Sequence, residues 1–116
     1  MKTTSDFILA LVRCIDELKP IYDQHIKDND LLLPHVFLGD VTRYVVETAL
    51  RNSDDKSIQD LLSLFEEALC DGPEEVKELV VVSFLEDLIG EEHALKVLKR
   101  KMPIHLRKQL NLVLDR

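Results

Sequence analysis

The stretch IQDLLSLFEEALCDGPEEVKELVVVSFLEDL, Ile58 to Leu88, decides the fold. In its first half Ile58, Leu61, Leu62, Phe65 and Leu69 recur at helical spacing, with Gln59, Asp60, Ser63 and Glu67 between them. That period places the apolar side chains on one stripe of an α-helix and the polar ones on its solvated side. Asp71, Gly72 and Pro73 interrupt it, and a proline without an amide hydrogen suits the start of the next helix. Glu74 and Glu75 follow at once, negative charge where the helix dipole is positive. Val80, Val81, Phe84, Leu85 and Leu88 then form a broad apolar face. Two helices folded back on each other across a short turn account for the whole stretch.

The same punctuation continues outward. Helices are predicted over about Ser5 to Lys19, Pro20 to Lys27, Pro34 to Arg51, Asp55 to Cys70, Pro73 to Ile89, Glu91 to Lys101 and Pro103 to Leu114. The first is expected to be capped by Thr4 or Ser5 and to bury Phe7, Leu11, Cys14, Ile15 and Leu18. In the third, Phe37, Leu38, Val41, Tyr44, Val45 and Ala49 face inward, and Gly39 is expected where a neighbouring backbone comes close. Its other side carries Asp40, Arg43, Glu47 and Arg51, a ladder in which each opposite-charge pair contributes only about 0.2 to 0.5 kcal/mol. No segment alternates apolar and polar residues over strand length. The expected architecture is all-α: one domain over residues 1 to 116, an antiparallel bundle of six or seven helices.

Hydrophobic residues make up 46% of the 116 and charged residues 32%, a composition that can bury a core and is unlike that of a disordered chain. The longest apolar run, Phe7 to Val12, is far short of the roughly 20 residues a membrane span requires. With no small-residue cleavage pattern after the early lysine, a cytoplasmic protein without membrane association is expected. Cys14 and Cys70 both fall in apolar helical patterns, which reads as reduced thiols serving as small buried hydrophobes.

Catalytic and metal motifs are missing from the linear pattern. His25, His35, His93 and His105 lie at least ten residues apart, with neither an HExxH pair nor a CxxC, so no metal or cofactor is expected. There is no GxSxG elbow and no glycine-rich phosphate loop. Adjacent carboxylates such as Glu66/Glu67 and Glu91/Glu92 belong to solvated helix faces. The reading is of a protein without catalytic residues.

Charge is unevenly distributed. Residues 1–39 hold four basic and six acidic residues, net −2; residues 40–92 hold four and fifteen, net −11; residues 93–116 hold seven and one, net +6. Such an acidic middle would repel phosphates and steer a basic protein towards itself. Alternatively, the basic end folds over the acidic middle and neutralises it within the molecule. That end, KVLKRKMPIHLRK from Lys96 to Lys108, has no aromatic residue to stack on bases, and nucleic acid is not an expected partner. In the fifth helix Leu79 and Val82 fall opposite the main apolar face, among Glu75, Glu78 and Glu86. Either neighbouring helices cover both sides, or these residues form an apolar contact rimmed by carboxylates, as in a protein-binding surface.

The Ile58–Leu88 hairpin resembles one HEAT-type helical repeat, short of the three or more that make a self-supporting solenoid. LLPHVFLGDVTRYV, Leu32 to Val45, with VVVSFLEDL, Val80 to Leu88, resembles a family of small, acidic, uncharacterised bacterial domains. In size and charge the chain is similar to immunity proteins of bacterial toxin systems, contact-dependent inhibition among them. That resemblance implies a non-catalytic inhibitor binding a basic toxin domain, a nuclease as the leading case, with a helical adaptor or regulatory module as the alternative. The expected interface comprises Asp60, Glu67, Asp71, Glu74, Glu75, Glu78, Glu86 and Asp87, with Leu79 and Val82 as apolar anchors. His35 and Asp40 are the polar positions of the third helix to test for function.

Overall fold

The computed structural model describes residues 2–116, and among them there are helices and no strands. Seven helices follow one another: α1 (Thr4–Cys14), α2 (Lys19–Asn29), α3 (Pro34–Arg51), α4 (Lys56–Asp71), α5, α6 (Glu92–Lys101) and α7 (Ile104–Leu114). Helix α5 is composite. It runs as Glu74–Val80, passes through a π-helical turn at Val81–Leu85 and ends as Glu86–Leu88. Helix α3 is central, packing against α1, α2, α4, α5 and α6, while α7 lies across α4 and the π turn of α5.

The cap of α1 falls one residue before the predicted pair. Thr3 Oγ1 accepts the Asp6 N–H at 3.1 Å, and Asp6 Oδ2 accepts the Thr3 N–H at 3.2 Å, a reciprocal capping box. The predicted first helix also ends early, because Ile15 is extended and Asp16–Leu18 form a 3-10 turn. Pro20 is the reason: within a continuous helix its ring would clash with the carbonyl of Asp16, so the chain restarts and Pro20 falls in the first turn of α2. The break turns Cys14 outward while Ile15 and Leu18 stay buried. Cys70, near the end of α4, is exposed as well, so neither thiol is the core residue the apolar pattern suggested.

Four phenylalanines fill the centre. Phe65 of α4 lies between Phe7 of α1, at 6.1 Å between ring centroids, and Phe84 of α5, at 4.4 Å; Phe37 of α3 meets the edges of Tyr22 and His25. Each is fully buried, a burial that contributes about 1.5 to 3 kcal/mol apiece. At the α4–α5 turn Gly72 is required, since a Cβ there would lie 2.5 Å from the Ala68 carbonyl oxygen. Gly39 is not where a backbone comes close: a Cβ at that position would meet only Asp87 Oδ2, at an ordinary 3.8 Å.

The π turn corrects one expectation. Val76, Leu79 and Val80 form a regular buried stripe, and the extra residue of the π turn advances the phase so that Phe84, Leu85 and Leu88 continue it. An uninterrupted α period, traced back from Leu88, puts Leu79 on the wrong side; Leu79 is fully buried and is no surface anchor. The turn is tied to α3 by polar contacts. Ser83 Oγ lies 2.7 Å from His35 Nδ1, and the Thr42 hydroxyl lies within bonding distance of the Ser83 carbonyl (2.7 Å) and of its own Leu38 carbonyl (2.9 Å).

His25 links α2 to the start of α3. It is buried, its Nε2 accepts the Leu33 N–H at 2.9 Å, and Asn29 Nδ2 donates to its carbonyl at 2.9 Å. Leu33 caps α3 without a side-chain hydrogen bond of its own, so this contact fixes the entry of the chain into α3. Replacing His25→Ala leaves the Leu33 amide without its acceptor, and urea unfolding should register a loss of about 1 to 3 kcal/mol; an unchanged midpoint and slope would refute this role.

Candidate functional site

The α4–α5 hairpin places five carboxylates around one turn. Glu67 and Asp71 end α4, Glu74, Glu75 and Glu78 begin α5, and all five are exposed. Glu74 reaches Lys77 at 3.7 Å; Glu67, Asp71, Glu75 and Glu78 have no ion-pair partner among the described residues. An exposed i,i+3 pair such as Glu74–Lys77 is worth well under 1 kcal/mol and leaves the surface strongly negative.

Beside this turn a groove of about 710 Å³ runs between α5 and α7. Glu74, Glu78, Val82 and Glu86, four residues apart along α5, supply one wall; Lys108 and Leu112 of α7 and Arg116 just past its end supply the other. Val82 is 38% exposed and Leu112 62%, so the groove is apolar in its middle and charged along its edges. Surfaces of that construction, an apolar centre with a polar rim, are common at protein interfaces.

The basic C-terminal segment does fold onto part of the acidic middle. Lys101 Nζ lies 2.7 Å from Asp54, His105 Nδ1 2.8 Å from Glu66, and Arg116 Nη1 3.0 Å from Glu86. The Lys101 hydrogen bond and charge hold the Asp54 carboxyl below its usual range. Glu66 does more than pair. Its Oε1 accepts the Leu106 N–H at 2.7 Å and its Oε2 the His105 N–H at 3.1 Å, so it caps α7 from α4 where Pro103 offers no side-chain cap. Burial opposes ionisation of Glu66, but the hydrogen bonds from the His105 ring and the two amides outweigh it and lower its pKa.

The expected interface residues therefore divide. Glu67, Asp71, Glu74, Glu75 and Glu78 form one acidic surface, contiguous through Glu74 and Glu78 with the groove that holds Val82 and Glu86. Asp60 pairs with Lys56 at 3.4 Å and lies roughly 16 Å back along α4 from the turn. Asp87 lies on another face, over Gly39 in a groove shared with Thr42, Arg43 and Glu47 of α3. Burial first, and then Glu86, raise its pKa against the opposing charge of Arg43. Of the two polar positions singled out in α3, His35 holds Ser83 and Asp40 pairs with Arg43. Neither joins the acidic surface. Lys108, Leu112 and Arg116 complete the groove but have no motif to announce them; their i,i+4 spacing is the only sequence signal.

Tertiary packing also assembles Glu66, Cys70 and His105, whose potential ligand atoms lie within 4.8 Å of one another. Linear spacing could not show this, because 35 residues separate Cys70 from His105. The Cys70 thiol is raised above its ordinary value by burial and by the charges of Glu66 and Asp71.

Two stability effects follow, of opposite sign. A lowered carboxyl pKa stabilises the fold above the unfolded value and ceases to as pH falls through the folded one. Glu66→Gln should therefore cost about 0.5 to 2 kcal/mol at neutral pH, as loss of a cap does, and the difference should close in acid, as pH falls through the lowered Glu66 pKa, in urea unfolding. A raised carboxyl pKa penalises the fold above the folded value, so Asp87→Asn should raise the melting temperature at pH 7, and the gain should vanish in acid. A melting temperature raised equally at both pH values would refute the assignment for Asp87.

No curated protein and no solved structure shows a significant match to this chain. One family profile does, over residues 8–114, which is nearly the whole length. The chain belongs to the family described as Domain of unknown function (DUF7674).

Proposed function

We propose that this chain is a non-catalytic protein-binding domain that docks a basic partner on the acidic surface of the α4–α5 hairpin, acting as an immunity protein that neutralises a bacterial toxin. A single observation carries the reading: Glu67, Asp71, Glu75 and Glu78 are exposed around one turn and have no ion-pair partner among the described residues. Intramolecular pairing therefore consumes only part of the acidity, at Asp54, Glu66 and Glu86. Like charges so close together repel one another, and a cationic protein relieves that repulsion on binding. The same field draws the partner in, raising association rates by roughly 10- to 1,000-fold at low salt. Val82 and Leu112 supply exposed apolar area beside the charged turn. A nuclease fits the partner chemistry, because a cleft built for phosphates is cationic and carboxylates can occupy it.

The reading is tested by co-expressing the chain with the toxin domain encoded beside it and measuring growth and association rate. Protection is expected for the native chain, and the Glu75→Lys, Glu78→Lys double variant should associate roughly tenfold more slowly or worse, with weaker salt dependence. A charge-reversed variant that protects as well as the native chain would remove the acidic surface from the mechanism. An adjacent gene encoding no partner that binds would remove the immunity role.

A further inference from the structure

We propose that Glu66, Cys70 and His105 form a binding site for a single divalent cation of the Zn²⁺ type, at the junction of α4 with the first turn of α7. The site borders the proposed docking surface, since His105 also lines the α5–α7 groove, but none of its three ligands is a carboxylate of that surface, and it does not depend on the docking role. Glu66 and Cys70 are four residues apart on α4, which sets them on one face of the helix, and the packing of α7 brings His105 against them. All three potential ligand atoms lie within 4.8 Å of one another. A tetrahedral Zn²⁺ site, with bonds of about 2.3 Å to sulfur and 2.0 Å to nitrogen or oxygen, needs ligand atoms roughly 3.3 to 3.8 Å apart. Closing that gap takes movements of about 1 Å, and the side chain of His105, 57% exposed, is free to make them.

The donor set selects the cation. Thiolate and imidazole are poor ligands for Mg²⁺ and Ca²⁺, which take oxygen, and good ones for Zn²⁺, for which a carboxylate also serves. Three protein ligands leave a fourth position for water. Glu66 is already oriented: the His105 and Leu106 amides hold its two oxygens, Oε1 retains a further lone pair, and Oε2 regains one when the His105 ring turns away. Backbone hydrogen bonds of this kind steady metal-ligating carboxylates in metalloproteins. The charges of Glu66 and Asp71 beside Cys70 favour a cation, and they offset the positive end of the α7 dipole.

Binding exchanges a proton for the cation. The Cys70 S–H bond breaks, its proton passes to buffer, and the sulfur lone pair goes to the metal. His105 turns its Nδ1 from Glu66 to the cation; the Nδ1 proton that bonded Glu66 is released to buffer, the ring holds its one proton on Nε2, and the freed Nδ1 lone pair goes to the metal.

Titration of the full chain with Co²⁺ alone, read by absorption, tests the site. Expected are the intense visible bands of tetrahedral Co²⁺ and a sulfur-to-cobalt charge-transfer band, saturating at one cation per chain and abolished by Zn²⁺. Cys70→Ser should eliminate the charge-transfer band, and His105→Ala should weaken binding by about 100-fold, with circular dichroism confirming that both variants fold. Cys14→Ser should change neither. The weak spectrum of hydrated Co²⁺ throughout would overturn the proposal, and so would a charge-transfer band that survives in Cys70→Ser.

Discussion

The packing of Phe84 against Phe65, with ring centroids 4.4 Å apart, is the contact on which the rest of the arrangement depends. It joins the two arms of the central hairpin, and Phe7 extends it into α1. An unbroken α-helix from Glu74 would have carried Asp87, in place of Leu88, along the stripe begun by Val76, Leu79 and Val80. The π turn advances the phase by one residue, so aromatic and aliphatic side chains keep the core dry. Its polar consequence is settled locally: the buried Ser83 hydroxyl meets His35, and its carbonyl meets Thr42. A buried polar group left without a partner there would cost about as much as the aromatic contact contributes.

The path of α5 sets what the surface presents. Once Phe84 and Leu88 are inside, Glu74, Glu78, Val82 and Glu86 look across a groove to α7. Helix α7 is held in register by Glu66, a carboxylate of α4 that takes two of its orphan amides. Opposite charges thus meet at Glu86–Arg116 and Asp54–Lys101, and Glu66 is taken up by hydrogen bonds from α7, while the α4–α5 turn stays negative. The two accounts of the charge asymmetry, neutralisation within the molecule and attraction of a partner, therefore concern different residues. The first describes the contacts of the C-terminal segment; the second is the proposed role of the turn.

Much of this was legible in the residues. Helical periodicity and the four prolines located the helices, and α3 begins at Pro34 and ends at Arg51 as read, because propensity, amphipathic stripe and terminating residues all agree there. Disagreement arose where local rules were overridden. Pro20 and Ile15 divided the first helix and turned Cys14 outward, and the π turn moved Leu79 into the core. His25, one of four scattered histidines in the sequence, is a buried acceptor for the Leu33 amide.

The all-helical class, the order of the helices, most of the core and the acidic middle follow from the residues alone, because each of these depends on neighbours within about one or two helical turns. Which carboxylates are paired and which are not depends on how the helices pack. Glu66 and Glu67 are adjacent and chemically alike, yet one caps α7 and the other faces solvent. That difference rests on where a helix 39 residues away comes to lie. It is set by the packing of whole helices, a property that no local spacing of residues encodes.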